Sequence, residues 1–503
     1  MPLRFPEEIP FTAEELKEIL GTKKISTFTD VVLEREKIRS DHSDLYVLLL
    51  SGDEKKGWNK KEKIIAKRFI VPYREGQELA YLQEKRPEIM LQRQERAEKL
   101  IYKASTNIVP KPLGTIRSKN VYLMKFLEGR TLDDVLSDIS NELHEKKEEK
   151  ENILKKKRDI LQGAVKNLAR FDSIVNSKRM RAIDLPQQEE ELDHRLYNQH
   201  FISYLARLSF NNKELIPAEV ETYEYERVVS ILKDKGIDLQ NRVKDIMSIK
   251  KKAFLRPNRY AHGDYNPRNI FYPAMTLEVG LTTPSTVIDL EKFGLHSETR
   301  DLTSLFMGGV DNISVPESSS YLIGLITYYL AYKNIYTKNV YKPYRFEKKG
   351  INHIDSLNAE ETYKFLIKAG NFNNAQYAEF MLNFFANSIE EGIHLHATYR
   401  RYKPDHLAHL IGKLKNYSVE NLLESKKNYS QELFKTVSQI PFLFSHLDEE
   451  QATAMRNYFH SLASLMNDLG VFSLDNETLS DLRDGGAVGK IYGFLHPTPS
   501  DKK

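Results

Sequence analysis

His262-Gly263-Asp264, Asn269, the pair Asp289 and Glu291 after the apolar Val287-Ile288, and then Asp301 are residues whose types and spacing suit one chemistry. Phosphoryl transfer needs a carboxylate beside the attacking hydroxyl, oxygen ligands for Mg2+, and a scaffold that holds donor and acceptor in line. Asp264 suits the carboxylate. Asn269, five residues on, can turn back toward a metal, and Asp289 ends a short apolar run where a strand would present it to the same ion. A lone His-Gly-Asp would mean little. The joint spacing carries the reading.

At these residues the chain resembles the aminoglycoside phosphotransferase and choline kinase family, the small-molecule branch of the protein-kinase-like fold. That family's pattern is His-Gly-Asp, four residues, Asn, then a second Asp on a following strand with an acidic residue two later, and a further Asp in the next helix. The resemblance implies that Asp264 is the catalytic aspartate, that Asn269 and Asp289 hold Mg2+, and that Asp301 braces the catalytic loop from below. It implies a structural role for His262. Glu291 is left either supporting the site or solvated. Gly263 stands where protein kinases carry the arginine that pairs with an activation-loop phosphate, and only eleven residues separate Asp289 from Asp301, too few for a peptide-docking segment. A small hydroxylated or amino-bearing acceptor fits better than a peptide.

These residues need elements to position them. Thr12 and Glu15 have capping-box spacing before Leu16, Ile19 and Leu20, which predicts a short helix over 12–20. Three runs rich in Val, Ile, Leu and Tyr follow, over 29–38, 44–50 and 63–70, separated by polar turns. They match the small β lobe of a kinase-like fold. Ile64-Ile65-Ala66-Lys67 puts Lys67 where the family's phosphate-binding lysine lies. Its expected partner is a glutamate on the next long helix, over 87–104, with Glu98 favoured over Glu95 because Ile101 and Tyr102 lie three and four residues beyond Glu98. The stretch 121–129 resembles the family's hinge strand, so the backbone of Met124 to Phe126 is expected to meet the adenine edge. A helix near 131–136 precedes a charge run over 142–151, read as a solvated helix face or insertion, and apolar helical spacing resumes with Leu154, Leu161, Val165 and Leu168.

The resulting expectation is an α+β, two-lobed protein-kinase-like fold, with a β-rich nucleotide-binding lobe over 1–127, a catalytic lobe over 128–310, and an α-helical extension over 311–503. The implied reaction moves the terminal phosphate of ATP or GTP, with Mg2+, to a hydroxyl of a small molecule. One departure stands out. Kinase-like proteins cover the phosphates with a glycine-rich turn, yet no glycine lies between Gly21 and Gly52, and the substitute is Ser26-Thr27-Phe28-Thr29-Asp30. This leaves a nucleotide-binding pseudokinase scaffold as an alternative.

Composition narrows the partners. Lysine and arginine number 75 against 71 acidic residues, for a net charge of +4, so nothing global points to nucleic acid or membrane. With no cysteine, disulfides, thiolate zinc sites and a cysteine nucleophile are excluded. The longest apolar run, 321–332, falls well short of the ~20 residues of a membrane span, and a soluble, cytoplasmic protein is expected. His394, His396, His406 and His409 are read as satisfied or exposed rather than as a metal site. Six tyrosines and six basic residues over 328–349 raise RNA or protein as an alternative acceptor, but Tyr328, Tyr329, Tyr332 and Tyr336 at helical spacing suit a packed face.

Overall fold

The computed structural model describes residues 9–21, 28–33, 38–39, 43–52, 62–70, 87–177, 201–210, 212–217, 220, 224–254, 259–273, 285–308, 318–339, 352–368, 372–401, 414 and 418–484. Helix α1 (Ala13–Gly21) starts as its capping box predicts, with Thr12 N donating to Glu15 Oε2 at 2.7 Å and Glu15 N to Thr12 Oγ1 at 3.2 Å. Strands β1 (Phe28–Leu33), β2 (Ile38–Arg39), β3 (Ser43–Gly52), β4 (Glu62–Phe69), β5 (Pro112–Ile116) and β6 (Val121–Lys125) form one antiparallel sheet in the order β1-β3-β4-β6-β5, with β2 beside β3. The run predicted over 29–38 includes β1 and β2, both paired with β3. Its middle residues, 34–37, and Ser26 and Thr27 of the expected phosphate loop lie outside the described residues, while Phe28–Leu33 is strand.

Strand alternation gives this sheet two apolar faces. Ile64 and Ala66 of β4, Tyr46, Leu48 and Leu50 of β3, and Val121 and Leu123 of β6 pack with Leu16 and Leu20 of α1. The intervening residues, Ile65 and Phe69 of β4 with Tyr122 and Met124 of β6, pack instead against Met90 and Leu91 of helix α2 (Pro87–Ala104). Lys67 has the parity of Ile65 and Phe69, so it points to the α2 side. Further along α2, Ala97 and Ile101 join a second, much larger core, and the helix bridges the two.

The predicted hinge run does not stay in one sheet. β6 ends at Lys125, and β7 (Gly129–Thr131) pairs with β9 (Ile270–Pro273), which also pairs with β10 (Thr286–Val287). The amides of Lys125 and Phe126 donate to the carbonyls of Lys111 (3.0 Å) and Lys63 (3.2 Å). Of the backbone expected to face adenine, the Phe126 N–H is thus committed to the sheet.

Helix α3 (Leu132–Glu145) opens on a capping box between Thr131 and Asp134 and is followed by α4 (Lys150–Val175). The charge run between them is largely exposed helix and turn. Helices α5 (Leu239–Ala253), α6 (Arg300–Met307), α7 (Ser319–Asn339), α8 (Asn374–Arg401), α9 (Val419–Ser438) and α10 (Glu449–Asp468) belong to the large lobe, and β8 (Arg259–Ala261), just before the loop that carries Asp264, pairs with β11 (Gly294–His296). Tyr328, Tyr329, Tyr332 and Tyr336 of α7 are all buried, the packed face that their spacing predicts, and Tyr332 Oη donates to Asp355 at 2.6 Å. Among the described residues no helix is long and apolar enough to cross a membrane.

Buried residues of α6 and of the C-terminal helices share one core, in which Phe306 meets Phe384 edge to face at 6.1 Å and both are fully buried. Phe384→Ala should lower unfolding free energy by ~3–5 kcal/mol and leave one cooperative transition for the large lobe. Denaturant unfolding followed by two probes checks this, and separable transitions would make the C-terminal helices a domain of their own.

Candidate active site

The loop after β8 is built around one buried carboxylate. Asp301, near the start of α6, accepts the backbone N–H of His262 at 2.7 Å and of Gly263 at 2.9 Å. The two bonds tie the start of the loop to α6. Burial, joined by the charge of Asp172, pushes the Asp301 carboxyl up to about 7, against the pull of the two amides. His262 is fully buried. Its Nδ1 accepts from Asp264 N at 3.2 Å, so Nε2–H is the donor to Ile288 O at 2.8 Å. Burial depresses its pKa, and both ring nitrogens are engaged, which leaves His262 a structural element that ties the loop to the strand end before Asp289.

Gly263 takes a left-handed conformation, φ +81°, and a Cβ there would run into the Lys292 carbonyl and within 2.7 Å of His296 Nε2. Only glycine allows the two loops to approach so closely. Asn269 Nδ2 donates to Asp264 O at 2.9 Å, leaving its Oδ1 as the free acceptor, and Ile288 N donates to Asn269 O at 2.9 Å. Asn269 and Asp289 are thereby held on adjacent backbone. Asp289 is itself left-handed, φ 67° and ψ 64°, an uncommon conformation for a residue with a side chain.

Two lysines meet the two aspartates. Lys67, only 3% exposed, forms a close ion pair with Asp289 Oδ1 and a second with Glu291 Oε2 at 2.9 Å. Desolvation alone would lower the Lys67 pKa, but Asp289 and then Glu291 overcome it and the net shift is upward. Lys292 Nζ lies 2.7 Å from Asp264 Oδ2, and Asn266 Nδ2 donates to Asp264 Oδ1 at 3.0 Å. Burial would raise the Asp264 carboxyl; the Lys292 ammonium outweighs it and the pKa falls below the ordinary value. Arg300 closes the floor, donating through Nε to Gly263 O at 3.2 Å and through Nη1 to Glu391 of α8 at 2.9 Å.

The expected partner of Lys67 is corrected. Neither Glu98 nor Glu95 pairs with it. Glu98 is fully buried, with Oε2 accepting from Tyr122 Oη and Oε1 from Gln94 Nε2, both at 2.6 Å. Tyr122 sits directly across the ladder from Lys67, so its hydroxyl takes the place at Glu98 that the ammonium was predicted to fill. Glu95 binds Lys99, at 2.5 Å, and Arg117, at 3.3 Å. Glu291 is the glutamate that holds Lys67.

Asp289, Asn269 Oδ1 and Glu291 offer only oxygen, the donor type of a hard ion such as Mg2+. Among the described residues no three His, Asp or Glu side chains converge as a ready-made metal site. His394 lies 3.8 Å from Glu391 and stacks on Tyr204; His406 and His409 lie outside the described residues. Lys292, Arg300 and Glu391 were not anticipated from sequence. Lys292 could have been found, since it follows Glu291 directly in the turn that Asp289 opens. Glu391 could not, because it is ninety-one residues from the arginine it binds.

No protein-family model matches the chain, and no curated protein matches it. Among solved structures it is similar to an ethanolamine kinase of Plasmodium vivax, at 11% identity over 83% of this chain and 84% of that one, with a TM-score of 0.36. A choline kinase from Cryptosporidium parvum matches at 11% identity over 80% and 88%, TM-score 0.35. A macrolide 2'-phosphotransferase from Brachybacterium faecium matches at 10% identity over 80% and 99%, TM-score 0.33. Likeness this weak transfers no substrate or activity to the chain.

Burial raises the Glu98 carboxyl to about 7, more than the Tyr122 and Gln94 hydrogen bonds lower it. A carboxyl with a raised folded pKa binds its proton more tightly when folded, so its contribution is full below about pH 4.5 and is lost as pH rises toward 7. Glu98→Gln should therefore gain stability relative to the parent as pH rises from 5 to 8. Melting temperatures measured across that range test it, and a constant difference would mean that Glu98 is ionised throughout.

Proposed function

We propose that this chain is a phosphotransferase that moves the terminal phosphate of ATP or GTP, with Mg2+, to a hydroxyl of a small molecule. The observation that carries the reading is the convergence of Asp264, Asn269 and Asp289 on one backbone framework, each aspartate facing a lysine. Asp289 and the Asn269 Oδ1 would hold Mg2+ together with phosphate oxygens, and Glu291 would keep Lys67 in place. The ion, when bound, neutralises charge that develops on the phosphate oxygens. Lys67 would turn its ammonium to the donor phosphates. Asp264 orients the acceptor hydroxyl and receives its proton, while Asp301 and His262 keep the loop rigid. Met124 and Phe126 lie near the strand end where the nucleotide base is expected, and the Phe126 amide there is already committed to Lys63 O.

The two aspartates should separate in experiment. Asp289→Asn ought to weaken Mg2+-dependent nucleotide binding and abolish turnover together. Asp264→Asn should leave nucleotide affinity near that of the parent and lower turnover by roughly 10^2 to 10^4, the range for a lost acid-base group. Lys67→Ala should lower turnover at least as far, because it removes a positive charge where the transition state gathers negative charge. Calorimetric titration of Mg2+-nucleotide beside single-turnover rates measures both. If both aspartate variants bind and turn over as the parent does, these aspartates are not the catalytic centre; a parent that binds nucleotide without turnover makes the chain a scaffold.

A further inference from the structure

We infer that Lys292 is a further residue of the transfer centre, the cation that meets the terminal phosphate on its acceptor side; this rests on the phosphotransferase reading above. Four observations lead to it. The Lys292 ammonium stands 2.7 Å from Asp264 Oδ2, the oxygen beside which an acceptor hydroxyl would sit. Its side chain is 46% exposed and that of Asp264 27%, so the pair faces solvent and its head group is accessible to a ligand. An ion pair exposed to this degree contributes little to folding, ~0–1 kcal/mol. The backbone of Lys292, in contrast, is closely located. His296 Nε2 donates to its carbonyl at 2.9 Å, and that carbonyl rests on the face of Gly263 where no Cβ can stand. The backbone of Lys292 is fixed next to the Asp264 loop by contacts that do not involve the ammonium, so the ammonium can exchange partners.

Lys67 and Arg300 meet the centre from other sides. Lys67 serves Asp289 and Glu291, and the Arg300 guanidinium is shared between Gly263 O and Glu391. A phosphoryl group passing from the Asp289 side to the Asp264 side moves from the neighbourhood of Lys67 to that of Lys292. In the transfer, the acceptor oxygen forms a bond to the terminal phosphorus as the bond from that phosphorus to the diphosphate oxygen breaks. The bonding pair leaves with the nucleoside diphosphate, and the hydroxyl proton goes to the Asp264 carboxylate. Lys292 keeps its protons throughout and pairs with oxygens of the group in flight, which carry the negative charge.

The test is a binding comparison that needs no acceptor. The β,γ-imido analogue of ATP carries a terminal phosphate and ADP does not, so their Mg2+ complexes are titrated by calorimetry into the parent, Lys292→Gln and Lys292→Arg. Loss of a charge-assisted contact predicts that Lys292→Gln binds the analogue about tenfold more weakly while ADP affinity stays within about twofold, and that Lys292→Arg recovers most of the difference. An unchanged ratio of the two affinities in Lys292→Gln, whether both hold or both fall together, overturns the inference and makes Lys292 a surface partner of Asp264. If the parent binds neither these ligands nor their guanine counterparts, the phosphotransferase reading fails first and the role of Lys292 falls with it.

Discussion

The Lys67 ammonium is almost without solvent, on a β4 side chain of the small lobe, yet both of its carboxylates come from the turn after β10 in the large lobe. A charge so placed is tolerable only while it is paired, and removing one partner of such a pair costs about 3–5 kcal/mol. The ion pairs therefore fix how the sheet stands over the catalytic loop, aided by α2, which has one end in each core, and by Val287 N, which donates to Ile108 O at 2.7 Å. If Asp289 is the metal ligand, nucleotide binding must exchange its partner. The lysine would move to phosphate as the metal takes the carboxylate, with Glu291 keeping hold of the ammonium. Affinity for nucleotide and the closeness of the lobes are then linked quantities.

Beneath that ionic layer the framework is neutral or locked. Asp301 grips two consecutive amides, His262 is bound at both nitrogens, and the glycine between them admits the Lys292 carbonyl. Burial drives the His296 pKa down to about 4, so the imidazole that holds this carbonyl carries no charge at neutral pH and does not compete with Lys292 for Asp264. The left-handed Asp289 sits where these contacts meet. Backbone in that region is kept only when its surroundings over-determine it, and such positions concentrate at functional sites.

Much of this was legible in the sequence because its signals are local. Periodicity in 44–50 and 63–70 gave β3 and β4 nearly to their ends, and Thr12 with Glu15 gave the start of α1. The spacing of Asp264, Asn269, Asp289 and Asp301 placed all four around one loop. What failed was long-range. The partner of Lys67 was sought on α2, one helix away, whereas the structure supplies it from residue 291, and the preference for Glu98 could not include a tyrosine hydroxyl that arrives across the ladder from β6. Helical spacing identified Glu98 as inward-facing but says nothing about which polar group waits there. The same limit hid Glu391, since a helix over a hundred residues beyond the catalytic loop has no sequence mark that ties it to Arg300.

The central claim is that Asp289 and Asn269 form the metal side of a phosphoryl-transfer centre. A crystal structure with Mg2+ and the β,γ-imido ATP analogue tests it most directly. The expected result is metal held by Asp289 and the Asn269 Oδ1, Lys67 released from Asp289 onto phosphate while still held by Glu291, and the terminal phosphate directed toward Asp264. Nucleotide bound with the Lys67 to Asp289 pair intact and no metal on Asp289 would contradict it.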